Sequence, residues 1–153
     1  MAAKVKPVPD GFHTVTPYLV VEGAEKTIEF LKKAFAAELT HEPTKRPDGN
    51  IMHATLRIGN SMIMISEASD RARPTSVMLY LYVPDVDEAY RRATKAGGVS
   101  VMEPSDQFYG DRSAGVKDPA GNQWYIGTHI EDVAPDELQR RAADVFKQQG
   151  KAA

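Results

Sequence analysis

Histidine, methionine and tyrosine side chains alternate with apolar residues in three short segments, where they could contact a bound molecule. His53 shares one face of the strand IMHATLRI with Thr55, and Met64 lies on the face of SMIMISE opposite its two isoleucines. Successive side chains of a strand point to opposite faces, so each candidate lies opposite an aliphatic set. His53 could serve acid–base or polar recognition chemistry, or it could be a hydrogen-bonded histidine on a solvated face. Met64 could line a pocket or fill a gap in the core.

A second group of candidates is aromatic. The segment SVMLYLYV places Met78, Tyr80 and Tyr82 on one face, and the loop DQFYGDR adds Phe108 and Tyr109. Aromatic rings with phenolic tips suit flat or polycyclic ligands, and loops of this kind often border pockets. The alternative is that the tyrosines simply stack on a sheet that faces solvent.

The other histidines are weaker candidates. His13 and His129 lie near the ends of predicted strands, and His41 lies in a short polar strand. We expect solvent-exposed roles for all three. Glu67 could partner a histidine, but by strand alternation it points away from Met64.

The elements that must position these residues follow one order twice. The first half reads as strand TVTPYLVV, helix AEKTIEFLKKAFAAEL and strands ELTHE, IMHATLRI and SMIMISE. The second half reads as strand SVMLYLYV, helix VDEAYRRATKAG and strands VSVME, SAGVKD and NQWYIGTH, with Asp85 as the helix cap. An offset of 62 residues places the turn at Gly59 on the turn at Gly121, which indicates a duplicated unit. We predict an α+β fold of two tandem βαβββ modules whose curled mixed sheets surround a cup.

The predicted organisation is one domain with two terminal segments. Residues 1–12 form a flexible N-terminus, and residues 13–132 form the two modules, at about 13–74 and 75–132. Residues 133–153 form a C-terminal helix and tail. This helix carries an apolar stripe that includes Leu138 and Phe146, so it should dock on the same chain or on a second copy.

Composition excludes several classes of function. The chain has 153 residues, a formal net charge of -2 and no cysteine. The small net charge does not favour binding to nucleic acid or to an anionic membrane, and the absence of cysteine excludes disulfides and thiolate metal sites. The N-terminus lacks the pattern of a signal peptide and no apolar run is long enough to span a bilayer, so we expect a cytoplasmic protein.

Several stretches resemble the vicinal oxygen chelate superfamily, and in particular its PhnB-like branch of glyoxalase/bleomycin resistance/dioxygenase proteins. They are HTVTPYLVVEGAEKTIEF, PDGNIMHATLRIGNSMIMIS, LYVPDVDEAYRRATKAGG, FYGDRSAGVKDPAGNQWYIGTHIEDV and APDELQRR. The resemblance extends from about His13 to Arg141. One departure is that Phe35 precedes Ala36, where the family usually has glycine, so the end of the first helix could differ.

The resemblance also carries over the positions of the metal ligands. Metal-dependent members of the superfamily hold a divalent ion with four histidine or glutamate ligands, on the first and last strands of each module. The matching positions here are Thr16, Met64, Met78 and Tyr125. A one-residue shift would substitute Pro17 and Ile63, which are no better as ligands of a hard divalent cation. We therefore expect no metal and no other cofactor, and an apolar, adaptable cup.

Two functions are compatible with this resemblance. The first is a homodimeric binding protein that sequesters a small molecule, often an aromatic one, as bleomycin resistance proteins do. The alternative is a metal-dependent lyase, isomerase or dioxygenase with a different ligand set that includes His53. The missing ligand set favours binding, and we expect neither nucleic acid nor membrane as a partner. The candidate ligand-binding residues are Thr16, Tyr18, His53, Met64, Met78, Tyr80, Phe108, Tyr109 and Tyr125.

Overall fold

Three helices and nine strands form between residues 4 and 151, the part of the chain that the computed structural model describes. The start of the predicted N-terminal segment and the end of the predicted tail lie outside these described residues. The elements are β1 (Tyr18–Val21), α1 (Ala24–Phe35), β2 (Glu38–Leu39), β3 (Thr44–Lys45), β4 (Ile51–Ile58), β5 (Ser61–Glu67), β6 (Met78–Tyr82), α2 (Val86–Lys95), β7 (Val99–Asp106), β8 (Asp111–Lys117), β9 (Gln123–His129) and α3 (Pro135–Lys151).

The strands form two mixed sheets, as the repeated element order predicts. The first sheet has the order β1-β5-β4-β2, with β3 also paired to β4, and the second has the order β6-β9-β8-β7. In each sheet the first strand of the module runs parallel to the last, and the hairpins are antiparallel. Tyr18 thereby lies opposite Met64, and Tyr80 lies opposite Tyr125. The two modules thus place equivalent residues at equivalent points of their sheets.

The second strand of the first module is shorter than the sequence suggests. ELTHE forms only the two-residue strand β2, and the chain pairs with β4 again at β3. The register shifts between Thr44 and Lys45, which is the irregularity expected where a strand is bulged. This edge of the first sheet therefore has shorter strands than the matching edge of the second, where β7 has eight residues and two register shifts of its own against β8.

Helix α1 is capped by the last strand of its own module. Both carboxylate oxygens of Glu67 accept backbone hydrogen bonds, from Gly23 N at 2.9 Å and Ala24 N at 2.7 Å. These bonds satisfy donors that the first turn of a helix leaves free, and the negative charge favours the positive end of the helix dipole. The helix ends at Phe35 because Ala36 adopts a left-handed conformation with φ 53°. Ala36 thus takes the helix-ending conformation that glycine adopts most easily.

Helix α2 begins at the predicted cap. The carboxylate of Asp85 accepts a hydrogen bond from Glu88 N at 3.0 Å, which is the usual geometry of an aspartate N-cap. The two helices then pack on each other, and Arg92 of α2 donates to the carbonyl oxygen of Lys33 at 3.2 Å.

One hydrophobic core is shared by both modules. The ring of Phe35 in α1 packs on Trp124 of β9, with ring centroids 5.5 Å apart. The aliphatic faces of both sheets contribute to the same cluster, for example through Leu19 and Ile65 of the first and Ile126 of the second. Each sheet therefore covers the core with one face and presents its other face to solvent.

A buried turn around Asp118 leads into β9. One carboxylate oxygen of Asp118 accepts from Ala120 N at 2.9 Å and Asn122 N at 3.0 Å, and the other accepts from Trp124 Nε1 at 2.9 Å. The side-chain oxygen of Asn122 in turn accepts from Val77 N at 2.9 Å. The DPAGNQW motif therefore fastens the largest core side chain to the turn.

Helix α3 lies on the surface, and none of its 17 residues is buried. Arg141 connects it to the fold through an ion pair with Glu131 at 2.7 Å and a hydrogen bond to the carbonyl oxygen of Phe108 at 3.2 Å. Phe146 is exposed. Within residues 4–151, no helix has both the length and the apolar character needed to cross a bilayer.

Candidate functional site

The first candidate surface is the face of the first sheet that points away from the core. We call it the first face and define it by Tyr18, His53, Thr55, Met62 and Met64; of these, Tyr18 is exposed, Thr55 is buried and the others are half-buried. Leu19 and Ile65 alternate with its residues and are buried in the core. Met64 is only half-buried and lies between Tyr18 on one side and Thr55 on the other. Met64 is thus on the side of the sheet away from the core.

Polar groups on the first face form a chain. The hydroxyl of Tyr18 lies 3.2 Å from Nδ1 of His53, and Nε2 of His53 lies 3.2 Å from the hydroxyl of Thr55. Both imidazole nitrogens therefore have hydrogen-bond partners within the sheet. Thr16 precedes β1, and its hydroxyl donates to the carbonyl oxygen of His13 at 3.2 Å.

The second candidate surface is the exposed face of the second sheet, which we call the aromatic face and define by Met78, Tyr80, Tyr82 and Tyr125. The exposed fractions are 68% for Met78, 42% for Tyr80 and 68% for Tyr82. The rings of Tyr80 and Tyr82 have centroids 5.1 Å apart and are tilted by 53°. These side chains form an exposed aromatic surface of the kind that often marks a binding site.

Two glycines make room for these rings. A Cβ atom on Gly127 would collide with the ring of Tyr80, and one on Gly115 would lie 3.0 Å from the ring of Tyr125. Gly127 lies in β9 beneath Tyr80 of the neighbouring strand β6, and Gly115 lies in β8 beneath Tyr125 of the neighbouring strand β9. The rings can therefore lie close to the sheet because these positions carry no side chain.

A buried carboxylate fixes the tyrosine hydroxyls. Asp111 at the start of β8 is only 3% exposed. One of its oxygens accepts from Tyr80 at 3.0 Å and from Tyr82 at 2.9 Å, and the other lies 2.8 Å from Nδ1 of His129. Nε2 of His129 lies 2.7 Å from a carboxylate oxygen of Asp132. Asp111 therefore joins the aromatic face to a histidine at its edge.

The protonation equilibria of this cluster are coupled through Asp111. Burial opposes its ionisation, but hydrogen bonds from His129, Tyr82 and Tyr80 outweigh burial and lower the pKa of Asp111. The hydrogen bond to Asp111, and then the one to Asp132, raises the pKa of His129. Burial and then the bond to Asp111 raise the pKa of Tyr80. Asp111 thus favours its ionised form, whereas Tyr80 and His129 favour their protonated forms.

The loop between β7 and β8 borders the same cluster. The ring of Phe108 packs edge-on against Tyr109 with centroids 5.4 Å apart, and the hydroxyl of Tyr109 lies 3.5 Å from that of Ser113. Gly110 has φ 97°, and a Cβ there would collide with the carbonyl oxygen of Glu131. The tight turn at Gly110 therefore lets the loop pack on the segment that leads into α3.

The four positions matched to metal ligands do not fit a divalent ion. Met64 and Met78 offer neutral thioethers, which suit soft ions, and the hydroxyl of Thr16 donates to a backbone carbonyl. The phenol of Tyr125 stacks over Gly115. Among the described residues, the histidine, aspartate and glutamate side chains form no group of three that could hold an ion.

Two shallow grooves lie elsewhere, near the N-terminus of α1. One is lined by Glu25, Lys26, Phe30 and other residues, and the second shares Lys26 and includes Glu67. Neither borders the first face or the aromatic face. The aromatic face is exposed at Met78, Tyr80 and Tyr82, whereas on the first face Thr55 is buried and Gly11 lies close to Met62.

Strand alternation led to His53 and Tyr80, and the loop motif led to Tyr109. The structure places His53 on the first face, Tyr80 on the aromatic face and Tyr109 in the loop between β7 and β8. Sequence reasoning missed Asp111, and it gave His129 only a solvent-exposed role. The two residues are 18 positions apart and meet because β8 and β9 pair Asp111 with His129. The sequence signal for this contact was the hairpin turn at Gly121, because pairing β8 and β9 about that turn places Asp111 opposite His129.

Two βαβββ modules on one shared core, each with an open sheet face, define the class of fold. The chain belongs to the Glyoxalase/Bleomycin resistance protein/Dioxygenase superfamily, whose family model matches residues 11–126. An uncharacterized protein from Mycobacterium bovis is 37% identical over 151 residues, covering 91% of this chain and 94% of its own length.

Solved structures are similar in fold. TnmS3, described as an antibiotic binding protein from Streptomyces, has a TM-score of 0.60 and 20% identity, with 84% of this chain and 98% of that one covered. The PhnB protein from Bacillus cereus has a TM-score of 0.61 and 16% identity, with 76% of this chain and 99% of that one covered.

Proposed function

We propose that this protein binds a small, flat aromatic molecule without a metal ion, in a cup that two copies of the chain complete together. The observation that carries the proposal is the aromatic face, where Tyr80 and Tyr82 are exposed at 42% and 68% while their hydroxyls are fixed by Asp111. Exposed rings held in one orientation offer stacking surface at a low entropic cost. The description of TnmS3 as antibiotic binding supports a small molecule as the ligand.

The second copy is needed because one face cannot enclose a ligand. Binding sites for small molecules usually bury most of the ligand surface, which requires a wall on each side. In one chain the shared core lies behind both faces, so the first face is not available to cover the aromatic face. We infer that the first face of a second copy supplies the other wall.

Binding is tested by fluorescence titration with N-phenyl-1-naphthylamine, a neutral aromatic probe that brightens in apolar sites. Tyr82→Ala removes a ring from the aromatic face and should weaken binding about tenfold, because stacking and burial contribute about 1 to 2 kcal/mol. Tyr82→Phe keeps the ring and loses only the hydroxyl, so it should bind nearly as well. Equal affinity for Tyr82→Ala and wild type would contradict the proposal.

Metal independence is tested separately. The protein is incubated with zinc, nickel, manganese or ferrous iron, desalted and analysed for bound metal. We expect no retained ion and the same probe affinity with or without a chelator. One ion per chain, or affinity that disappears with the chelator, would favour the metal-dependent enzyme instead.

The two-copy cup is tested by sedimentation of the wild type and of two charge variants. Met78→Glu places a charge on the aromatic face, where Met78 is 68% exposed. Met52→Glu is the matched control, because Met52 is also exposed, at 52%, and lies outside both faces. We expect a dimer for the wild type and for Met52→Glu, and a shift toward monomer for Met78→Glu. A monomeric wild type at micromolar concentration would rule out the shared cup.

A further inference from the structure

We propose that Asp111 and His129 form a metal-independent proton-transfer site, which acts on an aromatic ligand with an acidic C–H bond. The site rests on the proposed function, since the ligand must first stack on the aromatic face. In this site His129 is the catalytic base, and Asp111 is the residue that positions it.

The geometry orients the imidazole in one way. Nδ1 of His129 lies 2.8 Å from the carboxylate of Asp111 and Nε2 lies 2.7 Å from that of Asp132, so both nitrogens donate when the ring is charged. We assign the remaining proton of the neutral ring to Nδ1, because Asp111 is buried and has no water to replace this donor, whereas Asp132 is exposed. When the imidazole is neutral, Nε2 then carries the free lone pair. Nε2 lies near Asp132, whose side chain is fully exposed, and such surface contacts cost little to replace. A ligand can therefore take the place of Asp132 at Nε2.

The same carboxylate places the base beside the rings. Asp111 accepts from the hydroxyls of Tyr80 and Tyr82 with one oxygen and contacts His129 with the other. The carboxylate of Asp111 therefore holds both tyrosine rings and the imidazole of His129. In the proposed complex, a molecule stacked on the two rings extends past their hydroxyls and Asp111 to reach the imidazole of His129.

Partial exposure distinguishes this cluster from a purely structural network. Asp118 also holds a set of donors, but its side-chain partner Trp124 is buried and inaccessible to a ligand. The side chain of His129 is 50% exposed, while Asp111 behind it is buried. A buried carboxylate behind an accessible imidazole is the arrangement that fixes a general base.

The charged and titratable groups that face His129 set its pH dependence. They are Asp111 from β8, Asp132 from the segment after β9, and Tyr80 and Tyr82 from β6, which reach it through Asp111. The two carboxylates stabilise the imidazolium form and raise the pKa of His129. The basic form therefore increases as pH rises, and the rate should rise with it.

The test uses 5-nitrobenzisoxazole, a flat aromatic carbon acid. Nε2 of His129 takes the proton from C3, the C–H electron pair forms the nitrile, and the N–O bond breaks to release a phenolate, which absorbs visible light. The proton then returns from His129 to water. No oxidant or reductant is required.

The decisive variant is His129→Gln, which keeps a donor for Asp111 but cannot take a proton. We expect the rate to fall about 10²-fold, the lower range for loss of a general base. His41→Gln is the matched control, because His41 is exposed, hydrogen-bonds to its neighbour Thr40 and lies outside the aromatic face, so its rate should equal that of the wild type. A His129→Gln rate equal to that of the control overturns the proposal.

Asp111→Asn tests the positioning role. Loss of the carboxylate should reduce the rate and also lower the pKa of His129, which is followed by NMR through its ring proton. The pH–rate profile should move to lower pH by the same amount. An unchanged pKa and an unchanged profile would show that Asp111 does not act through His129.

Binding is measured in parallel with 5-nitrobenzimidazole, which has the same shape and no bond to break. Wild-type protein that binds this compound but turns over the probe no faster than buffer overturns proton transfer and leaves the binding proposal standing. Protein that binds neither compound overturns both. Binding retained in His129→Gln, with turnover lost, supports the base assignment.

Discussion

Replacing Asp118 by alanine should lower the free energy of unfolding by about 4 kcal/mol. The carboxylate accepts hydrogen bonds from Trp124 Nε1 at 2.9 Å and from the backbone of Asn122 at 3.0 Å and Ala120 at 2.9 Å. Trp124 and Asn122 are each 1% exposed, so water cannot replace the lost acceptor for either. A buried donor without a partner costs about 1 to 3 kcal/mol, and two of them give about 4 kcal/mol.

Urea unfolding followed by tryptophan fluorescence measures this loss, because Trp124 is the single tryptophan of the chain. A chain of this size has a slope near 2 kcal/mol per molar urea, so the midpoint should fall by about 2 M. Asp87→Ala is the matched control, since Asp87 forms an exposed ion pair with Arg112 that should contribute less than about 1 kcal/mol. A loss for Asp118→Ala no larger than that of the control would refute the reasoning.

The remaining predictions concern a helix end, a glycine under a ring and a titrating histidine. Ala36→Gly should raise the free energy of unfolding by about 1 kcal/mol, because Ala36 has φ 53°; an unchanged Tm in calorimetry would contradict this. Gly127→Ala should displace Tyr80 and weaken binding of the naphthylamine probe while unfolding stays cooperative; full affinity would argue against the close approach. The raised pKa of His129 makes its bond to Asp111 stabilising below its ordinary value of about 6.5, and this contribution is lost as pH rises through the raised value. Stability should therefore fall between neutral and alkaline pH, and His129→Gln should remove that fall.

Local patterns predicted most of the fold. The alternation in SMIMISE correctly separated the buried isoleucines from the half-buried methionines, and that in SVMLYLYV separated the partly buried aliphatic residues from the exposed methionine and tyrosines. Asp85 correctly marked the start of α2. The predicted first helix was too long, because AAEL continues the helical pattern and nothing in alanine's type reveals that Ala36 turns left-handed.

The aromatic face could be predicted only in part. Strand alternation indicates which side Tyr80 and Tyr82 share, because it depends on neighbours in sequence. The contact of His129 with Asp111 depends on the register of a hairpin, and the space under Tyr80 depends on Gly127 of the neighbouring strand. Such contacts between strands are set by tertiary pairing, which a single sequence does not display.

The shared core gives the two faces a freedom that most binding sites lack. Met78 is 68% exposed, so replacing it removes few packing contacts and should change stability little. Mutations on the face can therefore accumulate without compensating changes in α1, α2 or Trp124. Over evolutionary time, a lineage can therefore keep the same fold and change the molecule that it binds. Asp111 is the residue of this cluster that cannot change freely, because it is buried and hydrogen-bonded to three side chains.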